Sequence, residues 1–411
     1  MLQIHLDMYQ SAGVGVAALL LGMALTRYIP FLKRFCIPAP VSGGLVFSLL
    51  TLCLYGFFGV ECSFDGTVKD LCMMLFFTAV GFQSDMSMLR KGGRPLLVMI
   101  LLVAVLIVIQ NLISVGIARG MGLSPLFGMA AGSIPMSGGH GTSGGFSPLL
   151  EQMGLSSASA VTMAAATFGL VAGSLLGGPL AGALVRRHRL SEESAGGTVL
   201  GSIEGQEASP ESRSTGEGTR EEAFRQWLKA TCLLIITVAL GTGLSALLSR
   251  TGITFPTYFG SLIVACLIRN LLGISPQFSS RMSIGRIVSI GDICLQLFLG
   301  MAMASLRLWE LSSLALPLCL ILISQVAFMA FYAAFVAFPL LGKDYDSAVL
   351  VGGLCGFGLG ATPNAMANMS AVCYKYRYSA KPFVIVPIIG AMFVDLINTG
   401  VITLFLNFIK P

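Results

Sequence analysis

The sequence predicts an all-α polytopic membrane protein. It is built from two inverted-topology repeats, each of five transmembrane helices plus one re-entrant, broken Gly-rich hairpin. Three observations predict this. First, the chain of 411 residues is 55% hydrophobic and 11% charged, with a mean hydropathy of +0.85, whereas soluble domains carry about 25% charged residues. Second, two stretches set between long apolar segments combine glycine with Ser, Thr and Asn: Ser133 to Leu150 (SIPMSGGHGTSGGFSPLL) and Gly352 to Met369 (GGLCGFGLGATPNAMANM). Third, residues recur in register between the halves. Asp70-Leu71-Cys72 matches Asp292-Ile293-Cys294 and Pro95 matches Pro317 at an offset of 222, while Gly138 and Thr142 match Gly358 and Thr362 at an offset of 220.

A helix needs about 20 apolar residues to cross hydrocarbon. In the first half the apolar segments run from Ser11 to Ile29, Val41 to Val60, Leu71 to Phe82 (short), Pro95 to Ala118 and, beyond the first Gly-rich stretch, Ser159 to Val185. In the second half they run from Trp227 to Leu248, Phe255 to Leu272, Ile284 to Leu306, Leu314 to Leu341 and, beyond the second stretch, Phe383 to Ile409. The repeats are thus 1–189 and 225–411, with hairpins at about 133–150 and 352–369. Residues 190–224 join them. Ser191 to Glu222 holds eight of the 19 acidic residues and almost no large apolar one, so it reads as a flexible linker that cannot bury a core.

Five spans is an odd number, so the second half is inverted relative to the first. Cationic loops stay on the cytoplasmic side. With both termini outside, the linker cytoplasmic and each Gly-rich stretch returning to the face it entered from, only Lys69, Arg119, Arg250, Arg307 and Lys410 of the 25 Lys and Arg lie outside. A full crossing by either stretch would destroy this bias. The net charge of +6 therefore reports membrane orientation and not nucleic-acid binding. The N-terminus, MLQIHLDMYQ, lacks the basic segment of a cleaved signal and reads as a mature terminus leading into the first span. The ten cysteines show no C-x-x-C spacing and most lie in apolar segments, where they act as small hydrophobes. His5 and His188 read as surface residues.

Gly-rich polar backbone survives at membrane depth only where it is buried in protein or lines a wet cavity. Two such stretches at matching places in two halves point to a solute site of a transporter. The first offers Ser137, Gly138, Gly139, His140, Gly141, Thr142 and Ser143. The second offers Gly356, Gly358, Gly360, Thr362, Asn364 and Asn368, with Pro363 breaking the helix. Glycines admit a ligand close to backbone, freed amides attract carboxylates, and freed carbonyls and hydroxyls suit a cation such as sodium. The competing explanation is close helix packing by small residues. Asp395 is the one acidic residue deep in a span, and intramembrane carboxylates face cavities and serve function. Asn398 follows it on the same helix face. His140 either meets a ligand or proton or satisfies backbone freed by the glycines. Gln110, Asn111 and Gln325 read as interhelical hydrogen-bond partners, and Asp70 and Asp292 as interfacial or capping residues.

Two other classes fit less well. Gly141-Thr142-Ser143-Gly144 with His140 resembles a serine hydrolase motif, but a histidine three residues from the serine is badly placed to serve as its base, and the matching Gly360-Ala361-Thr362-Pro363 has neither residue. A passive channel could share the symmetry, but it does not call for a deep carboxylate beside paired hairpins.

Over nearly the whole chain except the linker, the sequence resembles the bacterial sodium/glutamate symporters. The resemblance is carried by IPAPVSGGL at Ile37 to Leu45, SGGHGT at Ser137 to Thr142, ATFGLV at Ala166 to Val171, LWELSSLALP at Leu308 to Pro317 and CGFGLGATPNAMANM at Cys355 to Met369. It implies a transporter, not an enzyme. This would be an elevator-type homodimer in the bacterial inner membrane that takes up L-glutamate with sodium and has no organic cofactor. A proton-coupled carrier, or a carrier of another small anionic amino acid or dicarboxylate, is the alternative.

The resemblance also implies that Ser137, Gly138, Gly139, His140, Gly141 and Thr142 oppose Gly358, Gly360, Thr362 and Asn364 around the substrate. Asp395 would meet the ammonium, and Asp395, Asn398 and Thr362 would meet sodium; which role Asp395 takes stays open. The chain departs from the family pattern at Leu354, where a histidine is expected, and at Gly144-Gly145-Phe146.

Overall fold

The computed structural model describes residues 2–85, 87–190, 217–250, 255–272 and 284–409. Its first half comprises β1 (Leu2–Leu6), α1 (Met8–Tyr28), α2 (Pro30–Arg34), α3 (Ala39–Phe58), β2 (Val60–Phe64), α4 (Thr67–Gln83), α5 (Ser87–Gly120), α6 (Pro125–Ala130), α7 (Ser133–Met136), α8 (Gly139–Gln152) and α9 (Ala158–Arg187). In the second half α10 (Glu217–Ser249), α11 (Phe259–Leu272) and α12 (Ile284–Ala304) are followed by a 3-10 turn (Leu308–Leu314). Then come α13 (Ala315–Phe331), a π turn (Tyr332–Ala337), α14 (Phe338–Leu341), α15 (Tyr345–Gly358), α16 (Thr362–Lys375), α17 (Ala380–Ile388), a second π turn (Ile389–Phe393) and α18 (Val394–Ile409).

Seven of the described helices are long and apolar enough to cross a membrane. The other three expected spans are shorter as continuous helices: α4 has 17 residues, α11 has 14, and the last is divided by the second π turn. Large apolar side chains such as Leu101, Leu240 and Phe335 are exposed, as they must be where hydrocarbon replaces water as solvent.

The helices pack in two groups. In one, α1, α3 and α4 lie against α12, and α4 and α10 lie against α11. In the other, α8, α15 and α16 lie against α9, while α5 supports α6, α13 and α18. Buried amides and hydroxyls stitch the second group together. Gln325 Nε2 donates to the Gln110 carbonyl at 2.7 Å, and the Tyr332 hydroxyl donates to the Leu102 carbonyl at 2.7 Å. Such bonds matter at this depth because an unpaired backbone carbonyl there has no water to turn to.

The structure departs from the sequence expectations in four places. The N-terminus is a strand: Leu2–Leu6 pairs in parallel with Val60–Phe64. Both segments alternate apolar and polar residues, which is the strand period. The Asp7 carboxylate then caps α1, accepting from the Gln10 amide at 2.8 Å. The hairpins are longer and more helical than 133–150 and 352–369, spanning Pro125–Gln152, broken at 131–132 and 137–138, and Tyr345–Lys375, broken at 359–361. Glycine weakens an isolated helix, but packing inside this bundle overrides that penalty. Most of the linker expected at 190–224 lies outside the described residues, and its end, from Glu217, is helical. There acidic residues favour a helix N-terminus, and Glu221 pairs with Arg225 at 2.7 Å one turn on. Finally, Gly93, at φ +61°, kinks α5 ahead of Pro95, so the apolar stretch proper is Gly93–Gly120.

Candidate functional site

The first hairpin is anchored at Ser133. Its amide donates to Asn111 Oδ1 at 2.9 Å, and its carbonyl accepts from Asn398 Nδ2 at 3.0 Å. One residue thus joins α7 to α5 and α18. The helix breaks again at Ser137 and Gly138, and Gly139 takes φ +59° as α8 begins. This is a left-handed conformation that glycine adopts without steric cost. A β-carbon on Gly139 would stand 2.9 Å from the Gly360 carbonyl oxygen, so the hairpin tips touch.

The second hairpin is capped by Asp344, which accepts from the Ser347 amide at 2.7 Å, and breaks over 359–361 before Thr362-Pro363 restarts the helix. Two amides fasten it to α9: Asn364 Nδ2 donates to the Leu170 carbonyl at 2.8 Å and Asn368 Nδ2 to the Gly173 carbonyl at 3.0 Å. Gln110 on α5 joins both tips. Its Nε2 donates to the Gly358 carbonyl at 2.8 Å, and its Oε1 accepts from the Ser137 hydroxyl at 2.7 Å.

Between the tips and the first helix group lies a cavity of about 390 Å³. The run Ser137 to Thr142, Gly360, Thr362 and Asp395 form one side of it. Phe76 and Gln83 of α4 and Asp292 and Gln296 of α12 form the other, with Cys36 and Pro38 at the start of α3. Asp395 is half-buried directly after the second π turn. Such turns re-aim the side chains that follow them. Thr142 Oγ1 faces Asp395 Oδ1 at 3.5 Å, the long limit of a hydrogen bond. His140 Nε2 lies 3.0 Å from Thr167 Oγ1 of α9.

Three predicted site residues do not line the cavity. The Gly358 carbonyl is occupied by Gln110. The Asn364 side chain is turned into α9. Asn398 lies one turn behind Asp395 and is engaged with Ser133. All three hold the hairpins in place, because the amides that break a helix need partners of their own and these residues supply or receive them. The sodium set of Asp395, Asn398 and Thr362 is accordingly divided, with only Asp395 and Thr362 at the cavity. Conversely, Asp292, expected at a span end, is part of the cavity wall. So is Gln296, one turn along the same face of α12, a polar pair at helical spacing that hydropathy alone passes over. Gln110, Asn111 and Gln325 are the interhelical partners expected of them.

Two glycines of α8 beyond the tip, Gly144 and Gly145, meet the first helix group. A β-carbon on Gly144 would come 2.0 Å from Phe298 Cζ of α12, and one on Gly145 would come 2.6 Å from a ring carbon of Tyr258. The departure at Gly144-Gly145 therefore sits against aromatic rings and not in the cavity lining.

The family model described as Sodium/glutamate symporter matches residues 4–378. A curated sodium/glutamate symporter of Escherichia coli (strain K12) is 39% identical over 406 residues, covering 98% of this chain and 98% of that protein. A sodium/glutamate symporter of Haemophilus influenzae is 36% identical over 395 residues, covering 96% of each. With similarity running the length of the chain, through both hairpins and the helix that carries Asp395, this protein belongs to the sodium/glutamate symporter family.

Proposed function

We propose that this chain is a secondary active transporter that couples sodium entry to L-glutamate uptake across the bacterial inner membrane. The observation that carries the reading is the cavity itself. Two broken hairpin tips and one intramembrane carboxylate converge on a space of about 390 Å³, within the range of small-ligand pockets. Glutamate brings two carboxylates and one ammonium. The hydroxyls of Ser137, Thr142 and Thr362 and the backbone of Gly138, Gly139, Gly141 and Gly360 suit the carboxylates, with His140 held beside them by Thr167. Asp395 is the counter-charge for the ammonium or for sodium. Co-moving cations can drive uptake of an anion because each net positive charge moved inward gains about 2.3 kcal/mol per 100 mV.

The same reading takes the hairpins as re-entrant and the halves as inverted repeats. The termini are outside, the linker is cytoplasmic, and the protein works as a homodimer. The division into two helix groups with the cavity between them supports an elevator movement, in which the hairpin group carries the site past the other. Gly144 and Gly145, lying flat against Phe298 and Tyr258, give that movement a smooth face.

The test is uptake of radiolabelled L-glutamate into proteoliposomes with and without an inward sodium gradient. Sodium-dependent accumulation is expected. Uptake that ignores sodium but follows pH would replace sodium by proton coupling, and no uptake of glutamate would overturn the substrate.

A further inference from the structure

A second polar cavity, of about 240 Å³, lies at the other end of the interface between the two helix groups. The main cavity takes Phe76 of α4 and Gln296 of α12, whereas this one takes Lys69 near the start of α4 and Ser305 just past the end of α12. At about 1.5 Å per helical residue, the two lie roughly 10–13 Å apart along those helices. Between them α8 closes on α12. Gly144 lies there against the Phe298 ring, and the space left is only about 20 Å³. In the orientation proposed above, Lys69 and Arg307 put the second cavity on the outer side.

The charges that line it are loosely paired. Arg307 stands 3.5 Å from Glu61 Oε1 and 3.6 Å from Glu310 Oε1, longer than a charge-assisted hydrogen bond of about 2.7–2.9 Å. The Lys69 ammonium makes no hydrogen bond or ion pair with another described side chain. Glu151 Oε1 accepts from the Ser159 hydroxyl at 2.6 Å and the Ser159 amide at 3.3 Å, while its Oε2 accepts nothing among the described residues. Two cations and two carboxylates, Lys69, Arg307, Glu151 and Glu310, thus line one space with bonding capacity to spare. A simple anion or cation would be repelled by half of this lining. A small zwitterion would not, because its carboxylate suits Lys69 and Arg307 and its ammonium suits Glu151 and Glu310.

We infer that this outer cavity binds a small amino acid, at a site separate from the transport cavity. Its volume falls just below the range of about 300–1,000 Å³ usual for drug-sized ligands, as suits a smaller solute. Glu151 and Ser159 belong to the hairpin group, whereas Lys69, Ser305 and Arg307 belong to the other. An occupant therefore bridges the groups and favours their present arrangement, since a ligand shifts a conformational equilibrium by its difference in affinity for the two states. The inference rests on the glutamate reading above for its probe.

Binding at the transport cavity depends on sodium under that reading, so the test is run without it. Purified full-length protein in choline chloride is titrated with L-glutamate by calorimetry. Saturable binding of one equivalent per chain is expected. Lys69→Gln and Glu151→Gln are each expected to weaken it about tenfold, and Lys69→Arg to keep it. The unliganded variants should melt as the native protein does, which separates lost binding from lost structure. If Glu151→Gln does not fold, Lys69→Gln carries the test, because the Lys69 ammonium holds no other side chain in place. Absence of saturable binding in choline overturns the inference, as does binding that Lys69→Gln leaves unchanged. Binding that falls in Asp395→Asn but not in Lys69→Gln belongs to the transport cavity and overturns it too. The glutamate transport reading fails separately. Sodium-driven uptake that is absent while this binding persists would remove the transport assignment and keep the site, and uptake without this binding would do the reverse.

Discussion

Gln110 Nε2 donates to the carbonyl of Gly358 at 2.8 Å, a bond across 248 positions of sequence. With Ser137 on its other end, the Gln110 amide sets the distance between the hairpin tips. Gln110→Leu removes both hydrogen bonds and puts an apolar side chain of similar size in their place. It leaves the Gly358 carbonyl and Ser137 hydroxyl with only their own long contact of 3.4 Å, at a cost of about 1–3 kcal/mol. A lowered thermal midpoint and a raised glutamate half-saturation are expected. An unchanged midpoint would show that the tips are held by other contacts.

Asp395→Asn keeps the shape of the side chain and removes its charge. Loss of a charge-assisted contact to ion or ammonium costs about 1.5–3 kcal/mol, so sodium-driven uptake should fall roughly tenfold to a hundredfold at subsaturating sodium. Proteoliposome uptake at several sodium concentrations checks this, and wild-type behaviour would remove Asp395 from the transport site.

Gly144→Val is expected to be worse than the same change at Gly178, where a β-carbon would meet nothing within 4 Å, because at Gly144 it would collide with Phe298. Overpacking costs about 1–3 kcal/mol. Adding Phe298→Leu to Gly144→Val should recover much of the lost stability and uptake, since the clash is with the far edge of that ring. No recovery in the double variant would show that Gly144 is needed for its backbone and not for the space it leaves.

Cys36 lies at the cavity between α2 and α3, and burial pushes its thiol above the usual range. Thiolate is the reactive form, so alkylation of a variant keeping only Cys36 should be slow at pH 7 and rise about tenfold per pH unit until the thiol titrates. Sodium with glutamate should slow it further. A membrane-impermeant reagent should reach Cys36 from the cytoplasmic side under the proposed orientation, and labelling only from outside would reverse that orientation.

Much of the fold was legible in the chain because its signals are local. Leu314 to Leu341 had to be a long membrane-spanning helix by hydropathy alone, and Pro363 had to interrupt one. The strand Leu2–Leu6 was legible too, in its alternation, but five residues ahead of an apolar segment are easily read as an approach to it. The cavity was half legible. Ser137 to Thr142 and Asp395 stand out by composition, whereas Phe76 and Gln296 carry no mark that distinguishes them from ordinary span residues.

Apolar length, glycine content and the register of repeated residues determined that this chain spans a membrane, breaks its helices in two Gly-rich stretches and sets one carboxylate within a span. Each of these follows from the cost of exposing polar groups to hydrocarbon, which neighbouring residues alone set. The tertiary structure decided which polar groups meet. Asn364 and Asn398 fasten hairpins while Asp292 joins the cavity wall, and the ring of Tyr258 stacks on Phe77 of α4. Those outcomes depend on rotation about helix axes and on partners hundreds of residues distant, and no local pattern encodes either.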